Sequence, residues 1–113
     1  MDNCIFCKIA AGQIASKTVY QDDQVVAFRD VNPQAPVHVL VIPKKHIESL
    51  NTISANDSAL VSHIHQVIQK VAAAEKLEEG FRVITNIGKN GGQSVPHLHY
   101  HVMGGRPMTW PPG

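Results

Sequence analysis

Short stretches of alternating apolar and polar residues run through the chain, and this period of two predicts β-strands. Residues 17–30 predict two strands joined by a turn, and residues 35–45 predict a buried strand that stops at a proline. Residues 81–86 predict a further strand. The clearest alternation lies in residues 97–102, where a strand would put three histidines on one face and three apolar residues on the other.

Helical spacing appears in two places. A short helix is predicted over residues 3–11, ended by Gly12. A long helix is predicted after Ser54 and Asp57, which resemble a capping box, and before Gly80. The apolar positions of the long helix follow the helical period: Leu60, Val61, Ile64, Val67, Ile68 and Val71. Helices and strands mix without a regular βαβ order, so the predicted class is α+β, with about five antiparallel strands.

Composition narrows the classes of function. A chain of 113 residues predicts a single domain over residues 1–113. A net charge of +1 with dispersed Lys and Arg argues against nucleic-acid binding. No apolar run reaches the ~20 residues that span a bilayer, and the N-terminus lacks a secretion signal. With two cysteines, the chain is expected in the reducing cytoplasm.

The histidines at 97, 99 and 101 are the main candidates for chemistry. On a strand, residues two apart lie about 6.5 Å apart, so the three imidazoles would converge on one patch. Histidine acts as a nucleophile or as an acid–base catalyst, and three histidines also bind catalytic Zn²⁺. A surface cluster without a role is the third interpretation.

A loop of glycine and polar residues precedes the histidines. Gly91 and Gly92 remove two Cβ atoms, so backbone N–H groups can approach an anion, and Gln93 and Ser94 add polar side chains. A tight hairpin turn would explain the glycines equally well. Beside the histidines, however, the loop favours a phosphate site. The absence of a carboxylate from residues 91–101 argues against phosphoryl transfer that depends on Mg²⁺.

Together these segments resemble the histidine-triad (HIT) superfamily. The stretch HLHYHVM has the His-φ-His-φ-His-φ-φ form of its signature, where φ is hydrophobic. The segments CIFCKIAAGQI, VVAFRDVNPQAPVHVLVIPKKHI, GGQS and GGRPMTWPPG resemble the Hint branch, the purine nucleoside phosphoramidases. The similarity covers nearly the whole chain and implies the HIT fold.

The resemblance also implies roles for individual residues. His99 matches the nucleophile that attacks the α-phosphorus, His97 orients it, and His101 and His38 flank the phosphate. The implied polar contacts to the nucleotide are Asn86, Gly92, Gln93 and Ser94, with Asp30 on the ribose hydroxyls. The implied purine slot is formed by Ile5, Phe6, Ile9, Phe28, Val31 and Leu40. Catalysis in this scheme requires no cofactor.

Cys4 and Cys7 form a CxxC pair, which supplies only half of a zinc site. Some similar bacterial HIT proteins carry structural zinc on two cysteines and two histidines, which match Cys4, Cys7, His46 and His97. Many Hint members lack the cysteines. Structural zinc, free thiols and a redox pair therefore remain as three alternatives.

Two functions from different classes follow from the resemblance. The first is hydrolysis of purine nucleoside phosphoramidates and aminoacyl-adenylates, which releases a nucleoside monophosphate. The second is a nucleotide-binding regulatory module whose hydrolysis is incidental. A homodimer is expected in either case. The tail around Trp110 is expected to pack near the active site of that dimer, with a ligand for a proline-reading domain as the alternative.

Overall fold

Five antiparallel strands form one sheet, which confirms the predicted α+β class. Across the sheet, the strands follow the order 18–21, 25–29, 37–43, 100–104 and 81–84. The structure is a computed structural model, and it describes residues 3–113. The elements in chain order are α1 (Ile5–Ala10), β1 (Thr18–Gln21), β2 (Val25–Arg29), β3 (Val37–Pro43), α2 (Ser58–Ala74), β4 (Phe81–Ile84) and β5 (Tyr100–Gly104). Two short 3-10 turns, Leu50–Thr52 and Ala55–Asp57, lead from β3 into α2.

The two helices cover opposite faces of the sheet. On β3, Val39 and Val41 point into the core beneath α2, whereas Leu40 and Ile42 point into a smaller cluster beneath α1. This alternation follows from the period of two in a strand. His38 has the same parity as Leu40 and therefore lies on the α1 face. The sequence period thus places this buried histidine on the side of the sheet that carries the candidate site.

The long helix begins where the capping pattern predicts and ends earlier than expected. The Asp57 carboxylate accepts hydrogen bonds from the backbone N–H of Ser54 (3.0 Å) and from Lys45 Nζ (2.7 Å). The helix ends at Ala74, six residues before Gly80, and the chain then turns through Lys76 at φ 60°. Among residues 3–113, no helix combines the length and apolar character needed to cross a membrane.

Strand β5 begins at Tyr100 rather than at His97, so only part of the histidine segment belongs to the sheet. The backbone N–H of Leu98 instead donates to the carbonyl of Ile47 at 2.6 Å. Pro96 precedes this segment and has no N–H to contribute to a ladder. The predicted separation of side chains still holds, because Leu98, Tyr100 and Val102 all pack in the core beneath α2.

Candidate functional site

Four polar side chains form a row on the α1 face of the sheet. The ring centroids of His99 and His101 lie 5.1 Å apart, and His101 Nδ1 lies 2.9 Å from His38 Nε2. Asp30 Oδ2 ends the row, 3.4 Å from His38 Nε2. The pairing of β3 with β5 explains why His38 and His101 meet. Leu40 lies opposite His101 in this pairing, and His38, two residues before Leu40, is the diagonal neighbour of His101.

Hydrogen bonds fix the proton positions along this row. The backbone N–H of Gln34 donates to His38 Nδ1 at 3.0 Å, so that nitrogen carries a lone pair. In neutral His38 the proton is therefore on Nε2, which donates to His101 Nδ1. His101 in turn carries its proton on Nε2. The row presents an N–H donor at the free nitrogen of His101.

His99 is held in the opposite tautomeric sense. Its Nδ1 lies 2.7 Å from the carbonyl oxygen of His97, which can only accept, so Nδ1 donates and Nε2 keeps the lone pair. Within residues 3–113 no buried side-chain nitrogen or oxygen lacks a partner. Since Nε2 of His99 has no protein partner in that range, it reaches solvent although the residue is only 3% exposed. His99 therefore offers a single accessible nucleophilic atom.

Burial keeps the flanking histidines neutral. Desolvation lowers the pKa of His38, and the charge of Asp30 opposes this effect only in part. Desolvation, followed by the neighbouring His99 and His38, lowers the pKa of His101 to about 4. At neutral pH both rings therefore carry one proton each, as the hydrogen-bond pattern requires.

Phe6 packs against the ring of His99. Its ring is buried and meets the rings of His99, His97 and Phe28 edge to face, with centroids 5.1, 5.9 and 5.7 Å away. Leu40 is buried in the same cluster. Of the residues implied for the purine slot, Phe6 and Leu40 thus lie beneath the site, outside the lining of the adjacent cavity.

A cavity of about 700 Å³ opens beside His38. It holds the other four residues implied for the purine slot, together with Asp30. The lining residues are Ile5, Ile9, Ile14, Ala15, Ser16, Lys17, Phe28, Arg29, Asp30, Val31, Pro33, Pro36 and His38. Mostly apolar walls with a few polar groups are typical of small-molecule sites.

The glycine loop is organised largely by its own polar groups. The backbone N–H groups of Gly92 and Gln93 donate to the carbonyls of Lys89 and Gly88, at 3.1 and 3.0 Å. Asn86 Nδ2 donates to the carbonyl of Gly91 at 2.6 Å. These three groups are therefore engaged inside the loop in this structure.

The Gln93 side chain ties the loop to its surroundings. Its Nε2 donates to the carbonyls of Glu48 (2.7 Å) and Val95 (3.0 Å), and its Oε1 accepts from the N–H of Gly88 (3.0 Å). These bonds leave the exposed Ser94 hydroxyl without a partner in residues 3–113. The Ser94 hydroxyl is therefore free to donate to a ligand.

Both glycines at the tip of the loop are required by its shape. A Cβ on Gly91 would lie 2.2 Å from the carbonyl oxygen of Ile87, which leaves no room for a side chain. Gly92 has φ +76°, a conformation that other residues rarely adopt. The tight turn and the approach to an anion are therefore compatible interpretations of this sequence.

Four metal-ligating side chains meet at the N-terminal end of α1. The ligand atoms of Cys4, Cys7, His46 and His97 all lie within 4.8 Å of one another. The sulfur–nitrogen distances are 3.3 Å for Cys4–His97, 3.2 Å for Cys7–His46 and 3.5 Å for Cys7–His97. Both cysteines are free thiols. The structure thus brings together the ligand set that the resemblance implied.

His97 connects this cluster to His99. Its Nε2 lies 2.8 Å from the carbonyl of Pro43 and therefore donates, which leaves the Nδ1 lone pair facing the two sulfurs. Its own carbonyl accepts the hydrogen bond from His99. The ring of His97 thus belongs to the cysteine cluster, whereas its backbone orients His99.

A second cavity of about 390 Å³ lies beside this cluster and the glycine loop. It shares Ile5 with the larger cavity. Its lining residues are Asn3, Cys4, Ile5, His46, Glu48, Ser94, Val95 and Pro96.

Several of these groups had no signal in the sequence. Gln34 and Pro43 act through backbone atoms, which every residue possesses. Ile14, Ser16 and Lys17 line the larger cavity from the irregular segment after α1, where no periodicity marks a face. Only the apolar character of Ile14, close to the predicted slot residues, could have suggested its place.

Comparison with known proteins shows the family of this chain. The family model described as "Scavenger mRNA decapping enzyme C-term binding" matches residues 3–110. An uncharacterized HIT-like protein of Synechococcus elongatus is 49% identical over 112 residues, covering 99% of this chain and 98% of that protein. This chain belongs to the HIT family.

Solved structures of HIT proteins share its fold. The crystal structure of a HIT family hydrolase from Legionella pneumophila is 51% identical, with a TM-score of 0.96 over 98% of this chain and 100% of that one. A histidine triad nucleotide-binding protein from Candida albicans is 34% identical, with a TM-score of 0.82 over 96% and 83% of the two chains. The row of histidines in this HIT protein therefore lies within a fold shared by these relatives.

Proposed function

We propose that this HIT protein is a Hint-branch hydrolase that acts on purine nucleoside phosphoramidates and aminoacyl-adenylates. One observation carries the proposal. His99 presents an accessible Nε2 lone pair beside the Nε2–H of His101. A nucleophile next to a donor suits attack on a phosphorus whose oxygens gain negative charge. The hydrolase name of the Legionella relative agrees with this function.

The reaction proceeds in two displacements. With a phosphoramidate, the lone pair of His99 Nε2 forms a bond to the α-phosphorus while the bond to the leaving nitrogen breaks. That nitrogen leaves as an amine after taking a proton, which the Ser94 hydroxyl relays from solvent. With an aminoacyl-adenylate, the bond to the carboxylate oxygen breaks instead, and the amino acid leaves as a carboxylate that needs no proton. Water then attacks the nucleotidyl-histidine, which releases the nucleoside monophosphate and regenerates neutral His99. His101 Nε2–H donates to a phosphoryl oxygen in both steps.

The 700 Å³ cavity holds the nucleoside in this scheme. Ile5, Ile9 and Phe28 offer apolar walls to the flat purine, and Asp30 at one end accepts hydrogen bonds from the ribose hydroxyls. Because Asp30 lies 3.4 Å from His38, the ribose end of the cavity adjoins the histidine row. The α-phosphate is thereby directed toward His101 and His99.

Mass spectrometry tests the covalent step. Protein mixed with an adenosine phosphoramidate and quenched in acid-free denaturant should gain the mass of one adenylyl group, located on His99. The His99→Ala variant provides the matched control and should gain none. Adduct on another residue, or turnover without any adduct in rapid-quench samples, would contradict the mechanism. Tight binding of AMP with no turnover would instead support the regulatory nucleotide-binding module.

We also propose that Cys4, Cys7, His46 and His97 hold a structural zinc ion. Tetrahedral Zn²⁺ with bonds of about 2.3 Å to sulfur and 2.0–2.1 Å to nitrogen separates neighbouring ligand atoms by roughly 3.5 Å. The observed separations of 3.2–3.5 Å fit that geometry. The lone pair of His97 Nδ1 already faces the sulfurs, and the free thiols support a cytoplasmic location.

A homodimer is proposed on the basis of the sheet edge. Strand β4 is an edge strand, and its Phe81 and Val83 side chains are 40% and 41% exposed. An exposed edge with apolar side chains favours pairing with a second chain. Light scattering at micromolar concentration should return twice the chain mass of 12.3 kDa. A single-chain mass at neutral pH would contradict the dimer.

A further inference from the structure

The second cavity, of about 390 Å³, adjoins the glycine loop, whose Ser94 we assign to the leaving nitrogen. It shares Ile5 with the nucleoside cavity, and Ser94 of the glycine loop lines it. In an in-line displacement the leaving group departs on the side of phosphorus opposite the nucleophile. A nucleotide with its purine in the larger cavity and its phosphate at His99 would therefore extend its remaining substituent past Ile5 and Ser94 into this space.

The described residues that line the cavity include an acidic one. Among the described residues that line it, Glu48 is the only Asp, Glu, Lys or Arg. Lys45, nearby in sequence, is paired with Asp57 at 2.7 Å. Ile5, Val95 and Pro96 give the same cavity apolar surface. A lining of apolar residues with one acidic residue suits an aliphatic stem with a cationic tip.

The backbone of Glu48 is held beside the glycine loop. Gln93 Nε2 donates to the carbonyls of both Glu48 and Val95, so Glu48 and the segment after Ser94 are joined through one side chain. This bridge ties Glu48 to the residue next to Ser94, and Ser94 is the residue that we assign to the leaving nitrogen. Glu48 is exposed, and its backbone is thereby held beside the cavity that it lines.

We propose that this cavity is the leaving-group subsite and that Glu48 selects substrates whose leaving amine carries a second, cationic group. The inference rests on the proposed hydrolase function and adds the chemical class of the leaving group. A carboxylate attracts a cation and repels an anion at the same place, and exposed pairs of this kind change free energies modestly. A selectivity of roughly three- to fivefold is therefore expected.

Three adenosine 5′-phosphoramidates of equal chain length provide the test. Their leaving amines are 1,5-diaminopentane (cationic tip), pentylamine (neutral) and 5-aminopentanoate (anionic). The value of kcat/KM should be highest for the cationic probe and lowest for the anionic one. The difference should shrink at 1 M salt, where the screening length falls to about 3 Å. Equal values for the three probes at low salt would overturn the proposal.

Variants assign the effect to Glu48. Glu48→Gln should reduce the cationic-to-neutral ratio of kcat/KM to about one, and Glu48→Lys should favour the anionic probe. Glu79→Gln changes the net charge equally but lies in a separate cavity with Lys76 and Arg106, so it should keep the wild-type ratio. A Glu48→Gln ratio equal to that of the wild type would overturn the assignment.

A binding measurement separates this inference from the proposed function. The His99→Ala variant should bind the three probes with affinities in the same order, measured by calorimetry without turnover. If the wild type hydrolyses no probe, the hydrolase proposal fails, and the order of affinities still decides the subsite. Hydrolysis of all probes at equal rates, with equal affinities, would reject the subsite and leave the hydrolase proposal intact.

Discussion

The two faces of the sheet differ in what they bury. The face beneath α2 packs a large, mostly aliphatic core in which Ile64, Val67 and Val102 are fully buried. The face beneath α1 packs a smaller apolar cluster and buries the imidazoles of His97 and His99. The α2 face therefore requires close apolar packing, whereas the α1 face also requires hydrogen-bond partners for its buried histidines.

This difference separates the sources of stability and of chemistry. A buried polar group without a partner is costly, and each buried histidine on the α1 face has one: His38 with Gln34, His97 with Pro43, and His99 with His97. Those bonds also fix the tautomers that the proposed chemistry requires. The α2 face supplies the apolar burial that lets the other face carry polar groups.

The largest effect is expected at His99. His99→Ala should lower kcat/KM by at least about 10³-fold, because a covalent catalyst is lost, and should leave AMP affinity within a few-fold. His65→Ala removes an exposed imidazole from α2 and should retain wild-type turnover. Steady-state kinetics and calorimetry measure the two effects. Comparable losses in both variants would erase the distinction between the faces.

Ile64 tests the opposite face. Ile64→Ala removes buried methyl groups from the α2 core and should lower the free energy of unfolding by about 3 kcal/mol, with Ile64→Val costing about 1 kcal/mol. The kcat/KM of the folded protein should stay close to wild type in both variants. Urea denaturation and kinetics at low temperature check this. A catalytic loss without a loss of stability would show that the faces are coupled.

Removal of zinc should lower the free energy of unfolding, because binding at a structural zinc site is coupled to folding. Purified protein should hold about one zinc per chain by elemental analysis. Cys4→Ser and a chelator should each lower the Tm, and the variant should not respond further to the chelator. Both should reduce turnover less than they reduce stability, because His99 is not a ligand. Zinc-free protein prepared without chelator would reject the site.

Acid should weaken the α1 face through His101. The folded pKa of His101, about 4, lies below its ordinary value of 6.5, so the unfolded chain binds the proton more tightly. Stability from this group is complete above pH 6.5 and is lost progressively down to pH 4. Urea titrations at pH 7.5 and 4.5 should show a loss on the order of 2 kcal/mol larger in wild type than in His101→Asn. Equal losses would place the acid sensitivity elsewhere.

The sequence predicted the faces of the strands better than their ends. The side chains of residues 98, 100 and 102 point where the alternation places them, because the period of two is a property of extended backbone. The start of β5 depends instead on the contact between Leu98 and Ile47, which are distant in sequence. No local pattern encodes such a contact.

The same reasoning applies to the site. The residue types in HLHYH and GGQS predicted a phosphate site, which stays a prediction. The resemblance implied the cysteine–histidine set that the structure brings together. The sequence suggested that Gln93 donates to an anion, whereas its amide bridges Gly88, Glu48 and Val95 in the structure. That bridge depends on the path of the whole chain.

His97 is held at two points, through its ring and through its carbonyl, so the length of the segment from His97 to Tyr100 cannot change freely. The ring of His97 contacts the cysteines, and the carbonyl of His97 accepts the hydrogen bond that orients the His99 ring. Inserting one residue between His97 and Tyr100 would exchange inward and outward positions and turn an imidazole toward α2. Inserting two residues would return the side chains to their original faces but would separate the His97 carbonyl from the His99 ring. Length variation among natural or designed relatives should therefore be confined to the loop that ends at Ser94.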